Sequence, residues 1–241
     1  MQFNDYYSPN FDKSKRTKKS IKSIVIHYTG MQSERESLVR LSNPKSGVSS
    51  HFLISLNGKI YRLIDDNKIA WHAGVSCWAK YKNLNKNSIG IELVNKGHEF
   101  GYKNFKKKQL LSLIKLCKIL IKKYKIKSEN IVGHSDITPL RKKDPGEKFP
   151  WKLLASKNIG IWHSFEVDFL KKFRNIKNFK SKDKSKFIKN LIKIGYCFSS
   201  KKSFFLHKTI KAFQRHYRQE LINGRIDKEC LIIAQNLSKK L

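Results

Sequence analysis

The sequence predicts an α/β fold, a mixed central β-sheet flanked by helices, with a small C-terminal three-helix module. Three observations predict it. The short apolar runs Ile24-Val25-Ile26, Ile89-Gly90-Ile91-Glu92-Leu93-Val94 and Ile131-Val132 read as strands. Between the second and third, Gln109 to Tyr124 places Leu110, Leu113, Ile114, Cys117, Leu120, Ile121 and Tyr124 at helical spacing, with lysines between them. Beyond residue 185 the patterns are helical, at Phe187 to Tyr196, Leu206 to Tyr217 and Lys228 to Leu241. Strands and helix in that order describe an α/β layer.

Taken in order, residues 1–20 are polar and basic and read as a loose arm. Ile21 to Tyr28 is a strand, apolar on both faces as a central strand of a covered sheet is, and it ends at Thr29-Gly30. His27, near its end, points into whatever crevice lies there. Ser33 to Leu41 is a short helix and Asn43 to Gly47 a loop. His51 to Leu56 and Lys59 to Ile64 flank Asn57-Gly58, the signature of a two-residue type I′ hairpin. Trp71-His72-Ala73-Gly74 suits either a cleft wall or a tryptophan packed at a sheet edge. On the strand Ser88 to Val94, Gly90, Glu92 and Val94 share a face. A carboxylate in mid-strand is costly to bury unless it is paired or faces a wet cleft, and the glycine beside it leaves room for a ligand. The alternative is a glutamate paired with one of the many lysines. Phe149 to Gly160 adds a last short helix to a domain spanning 21–162. Residues 163–184 read as a connecting segment, and 185–241 as the module, marginal for independent stability.

The chain has 241 residues and a formal net charge of +34. Lysine is spread along nearly every segment and no nucleic-acid-binding motif accompanies it, so nucleic acid is not expected as a partner. The charge does favour polyanions, including the carboxylate-rich bacterial wall. The cysteines at 77, 117, 197 and 230 form no CxxC pair; Cys117 reads as a buried thiol, and no disulfide framework is implied. Residues 1–20 lack the apolar stretch of a signal peptide, and no apolar run is long enough to span a bilayer.

The stretch richest in chemistry is His134-Ser135-Asp136-Ile137-Thr138-Pro139-Leu140-Arg141-Lys142-Lys143-Asp144-Pro145-Gly146. Its prolines make it a shaped loop rather than a regular element. His27, His134 and one of the two aspartates, Asp136 or Asp144, would supply three ligands to a tetrahedral zinc and leave a fourth position for water.

Taken together, Val25-Ile26-His27-Tyr28-Thr29, Ser49-Ser50-His51-Phe52, Trp71-His72-Ala73-Gly74, Ile89-Gly90-Ile91-Glu92, Gly133-His134-Ser135-Asp136 and Lys142-Lys143-Asp144-Pro145-Gly146 resemble the zinc-dependent N-acetylmuramoyl-L-alanine amidases. The class is the one related to phage amidase lysozymes and peptidoglycan recognition proteins. The match runs in order from about Ile21 to Trp162. Leu191 to Tyr196 and Ala212 to Tyr217 resemble a three-helix peptidoglycan-binding module, so the layout is similar to that of the two-domain outer-membrane-type amidases.

The resemblance implies Zn2+ as cofactor, held by His27, His134 and Asp144, with Asp136 left to a local role. It implies Glu92 as the catalytic acid/base, Lys142 as support for the transition state, and His51 and His72 as substrate-binding or cleft residues. The implied reaction is hydrolysis of the amide between N-acetylmuramic acid, ordinary or 1,6-anhydro, and L-alanine, in peptidoglycan or muropeptides. A monomer is expected, in the cell envelope or periplasm; the absence of a signal makes the cytoplasm the alternative. The rival reading is a non-catalytic peptidoglycan recognition protein, which would lack a zinc ligand or the glutamate; here every such position is filled.

Overall fold

The computed structural model describes residues 3–14, 16–198 and 203–241. In chain order its strands are β1 (Asn4–Asp5), β2 (Phe11–Asp12), β3 (Ser23–Tyr28), β4 (Phe52–Ile54), β5 (Ile60–Arg62), β6 (Ile69–Ala70), β7 (Cys77–Trp78), β8 (Tyr81–Lys82), β9 (Ser88–Leu93) and β10 (Ile131–Gly133). The helices are α1 (Glu34–Ser42), α2 (Lys107–Tyr124), α3 (His134–Ile137), α4 (Trp151–Ala155), α5 (Val167–Lys171), α6 (Ser181–Ile194), α7 (Ser203–Tyr217) and α8 (Lys228–Lys239). One sheet runs in the order β1-β5-β4-β9-β3-β10. Its pairs are parallel except for β4 and β5, which makes it mixed, as the sequence predicts.

Alternation along β3 divides the core. Ile24 and Ile26 face the same side as Ile89, Ile91, Leu93 and Ile131, and there Leu113, Leu116, Cys117 and Leu120 of α2 cover them. Val25 and Val132 face the other way. Their cover comes from Ala73, Trp78, Ile137 and the C-terminal helices, with Leu191, Ile194, Phe213, Ile233 and Leu237 in one continuous apolar cluster. Fully burying one such side chain contributes about 1.5–3 kcal/mol. The last three helices are therefore not a bead on a string, since they complete the second face of the sheet.

Several expectations need correction. The arm is not loose: β1 extends the main sheet beside β5, β2 pairs with β6, and Ser8, Asn10 and Arg16 are buried. Two-residue strands carry no periodicity to read. The hairpin closes through a three-residue loop, because Ser55 N–H donates to Lys59 O and Gly58 N–H to Ser55 O. Only Gly58 takes a positive φ, +89°, whereas a type I′ turn requires one at Asn57 as well.

Residues 163–184 do more than connect. They carry α5 and the start of α6; the carbonyls of Phe173 and Ile176 accept from Glu229 and Lys228 N–H, and Arg174 pairs with Glu220 and Glu229. Finally, Cys77 and Cys197 form a disulfide with Cα atoms 5.9 Å apart across 120 positions of sequence. Only the docking of the C-terminal helices brings them within reach. Closing so long a loop is worth on the order of 4–5 kcal/mol in chain entropy. Cys117 is the buried thiol expected.

Candidate metal centre and cleft

Parallel strands place functional side chains at their carboxyl ends, where open α/β sheets bind ligands. In the register of β3 and β9, His27 lies beside Glu92; in that of β3 and β10, Gly133 lies beside Ile26, so the next residue, His134, falls level with His27. The chain then turns through α3 and returns at Asp144, whose carbonyl accepts Ser135 N–H at 2.8 Å. Gly133 permits that return: a Cβ there would lie 2.6 Å from the Pro145 ring.

Three atoms converge. His27 Nδ1 is 3.0 Å from His134 Nδ1 and 3.0 Å from Asp144 Oδ2, and His134 Nδ1 is 3.1 Å from the same oxygen. All three residues are buried, and they form the one cluster of metal-ligating type among the described residues. Burial pushes the His27 imidazole down to about 4, and the neighbouring His134 adds to the effect. Burial by itself would raise the Asp144 carboxyl; His134 and His27 overcome it and hold the group well below the usual carboxylate range. Neutral imidazoles and an ionised carboxylate are the forms in which these residues bind metal. Asp136, the other candidate, points away and accepts from Gly133 N–H, Tyr196 Oη and His216 Nδ1.

Glu92 stands beside this cluster without joining it. Its Oε2 is buried and has no hydrogen-bond partner. Burial pushes the carboxyl up to about 8; the Asp144 charge adds to the rise and Lys142 offsets part of it. The pairing with a lysine that the sequence leaves open is absent from its contacts. Lys142 is exposed and lines the same cleft of about 360 Å³, as do Trp71, His72, Arg40, Lys96 and Arg141.

His72 and His51 part company. His72 is on the cleft, its Nδ1 3.0 Å from His27 Nε2. His51, expected as a substrate-binding residue, has no exposed surface: its Nδ1 accepts Gly90 N–H, and its Nε2 lies 2.7 Å from Arg16 Nη2 and 3.1 Å from Lys68 O. The space at Gly90, expected to admit a ligand, holds the His72 ring instead, 2.4 Å from where a Cβ would stand. Sequence reasoning missed Arg16, which is buried and bonded to the carbonyls of Asp66, Asn85, Lys86 and Ser88. It also missed the rim of the cleft, where Tyr28 Oη lies 2.8 Å from His98 Nδ1 and His98 Nε2 3.1 Å from Glu147. Neither carries a local signal, since the partners are scattered along the chain.

Comparison with known proteins identifies the family. Residues 17–147 match the N-acetylmuramoyl-L-alanine amidase family. The chain is 38% identical over 234 residues to the N-acetylmuramoyl-L-alanine amidase AmiD of Escherichia coli (strain K12), covering 91% of this chain and 83% of that one. It is 36% identical to the 1,6-anhydro-N-acetylmuramyl-L-alanine amidase AmpD of Haemophilus influenzae, across 62% of this chain and 88% of that one. Among solved structures, E. coli AmiD in complex with the substrate anhydro-N-acetylmuramic acid-L-Ala-D-gamma-Glu-L-Lys superposes with a TM-score of 0.79 at 34% identity, over 95% of this chain and 92% of that one. AmpDh3 from Pseudomonas aeruginosa gives a TM-score of 0.81 at 30% identity, over 100% and 99%. The chain belongs to the N-acetylmuramoyl-L-alanine amidase family, enzymes that hydrolyse the amide bond between N-acetylmuramic acid and L-alanine.

Proposed function

We propose that this amidase is zinc-dependent and holds the ion on His27 Nδ1, His134 Nδ1 and Asp144 Oδ2. The observation that carries the reading is the convergence of these three atoms within 3.0–3.1 Å of one another. Two ring nitrogens and a carboxylate oxygen gathered this closely are the donor set that a single cation would share. Two imidazoles and one carboxylate suit zinc and leave a net charge of about plus one. When bound, the ion supplies a Lewis acid that polarises the amide carbonyl and makes water nucleophilic near neutral pH.

The chain's own residues do the rest. Glu92 takes the proton of the attacking water and passes it to the departing alanine nitrogen, a role that suits a buried carboxylate with one oxygen unbonded beside the cluster. Lys142 places a positive charge on the cleft wall, where the oxyanion develops. His72 supports the metal ligand rather than the substrate. The substrate class is muropeptides, with the 1,6-anhydro form favoured by the similarity to AmiD and AmpD. Metal analysis of the purified protein should find about one zinc per chain. Chelation should abolish release of the L-alanyl peptide from a soluble anhydro-muropeptide, read by mass, and zinc should restore it. Full hydrolysis by a demonstrably metal-free sample would end the zinc reading.

We further propose that the enzyme acts as a monomer in the cell envelope, with the C-terminal helices contacting the wall. The Cys77–Cys197 disulfide supports an oxidising compartment. No helix of the described residues is long and apolar enough to cross a membrane. Of the residues that carry the resemblance to a wall-binding module, Leu191, Ile194, Tyr196, Ala212, Phe213 and Tyr217 are buried, whereas Ile192 and Lys193 are exposed and free to contact wall. Co-sedimentation of the intact protein with insoluble wall, repeated at rising salt, separates such contact from simple charge attraction.

A further inference from the structure

We propose that His72 and Ser88 are positioning residues: they dictate which nitrogen of His27 carries its proton, and so turn the lone pair of His27 Nδ1 toward Asp144 and His134. The inference rests on the zinc reading for its purpose but not for its geometry.

The far end of the relay is an atom whose role has no freedom. Leu84 O is a carbonyl and can only accept; Ser88 Oγ lies 2.5 Å from it and therefore commits its single proton there. Ser88 Oγ is also 3.1 Å from His72 Nε2. Having donated to Leu84, the hydroxyl can only accept from the ring, so Nε2 of His72 carries the proton and Nδ1 is left with a lone pair. That Nδ1 is 3.0 Å from His27 Nε2. His27 must supply the proton of this bond, and a neutral imidazole has only one. His27 Nδ1 is then bare, and it is the atom 3.0 Å from both Asp144 Oδ2 and His134 Nδ1. A second carbonyl sets the other ring: His134 Nε2 lies 3.3 Å from Ala73 O, which leaves His134 Nδ1 bare as well.

The relay is rigidly held. The backbone N–H groups of His72 and Ala73 both donate to Asn85 Oδ1, at 3.1 and 2.7 Å. Gly90 lets the His72 ring lie where any larger residue would collide with it. A metal-ligating histidine usually donates its second N–H to a carboxylate, carbonyl or water. Here the acceptor is another imidazole, which could accept or donate with equal ease, and Ser88 removes the ambiguity.

His72→Phe keeps a ring but offers no acceptor; His72→Asn places a side-chain oxygen close to where Nδ1 stands. Zinc affinity, read by competition with a chromophoric chelator, should weaken about 10–100-fold in His72→Phe, the usual effect of losing such a partner. It should weaken less in His72→Asn and in Ser88→Ala. Nitrogen NMR on metal-free wild type should find the His27 proton on Nε2, and on Ser88→Ala a mixture of tautomers at His72. Wild-type zinc affinity in His72→Phe, or a His27 proton on Nδ1 in the metal-free wild type, would overturn the proposal. So would equal losses in the Phe and Asn variants. If wild type itself bound no zinc the metal reading would fail, and the tautomer spectra would still decide this one.

Discussion

The loop from His134 to Gly146 presents Asp136 to the C-terminal helices and Asp144 to the cleft. The two carboxylates differ less in depth, at 1% and 6% exposed, than in what surrounds them. Every partner of Asp136 brings a proton: a backbone N–H from Gly133 at 2.8 Å, a hydroxyl from Tyr196 at 2.7 Å and a ring N–H from His216 at 2.7 Å. In the tautomers proposed above the partners of Asp144 bring none, since Ala73 O and His72 Nδ1 accept the single N–H of each facing ring. A buried carboxylate among donors is a structural joint. One among acceptors is half of a cation site. Glu92 is a third kind, with one oxygen bonded to nothing, free to gain and lose a proton.

The contrast can be broken most forcefully at Asp144. Asp144→Ala should lose zinc and drop amide hydrolysis to background; retained zinc would put the ligand elsewhere. Glu92→Gln comes next: turnover should fall about 10²–10⁴-fold while metal content holds. Near-normal turnover with a lowered melting point would make this glutamate structural. Asp136→Ala should do the reverse, sparing the metal ligands but costing at least about 3 kcal/mol in denaturant unfolding, because Tyr196 and His216 lose a buried charged acceptor. Loss of zinc without loss of stability would contradict the division of labour. The mildest probe is Tyr196→Phe, which removes one hydroxyl and one bond to a charged group. About 1.5–3 kcal/mol should go, with zinc affinity unchanged.

Much of the fold and of the site is legible in the sequence. β3, β9 and α2 follow from β-branched runs and helical spacing, and Ser33 caps α1 as a serine before a periodic segment should. His27, His134 and Asp144 stand in recognisable motifs, and the register of three parallel strands explains why such distant positions converge. What stays hidden depends on contacts between remote positions. Asp136 is read correctly only with Tyr196 and His216 in view, sixty and eighty positions away. Arg16 looks like one more cation in a basic arm until four carbonyls are seen around it. Cys77 and Cys197 advertise no pairing because nothing local joins them. The Asn57-Gly58 signal locates the hairpin but not its loop length, which is set by the backbone conformation of Asn57.

The shared apolar cluster under Val25 and Val132 also governs how the protein must be made. A ribosome delivers His27, Glu92, His134 and Asp144 well before it delivers Leu191, Phe213 or Leu237. At ordinary elongation speeds, the stretch from Val132 to Leu237 takes roughly 5–20 s. Throughout that interval the nascent chain carries these four residues on a sheet with one apolar side bare. That second face of the sheet can be covered only after α8 has been made, because Ile233 and Leu237 belong to the same cluster.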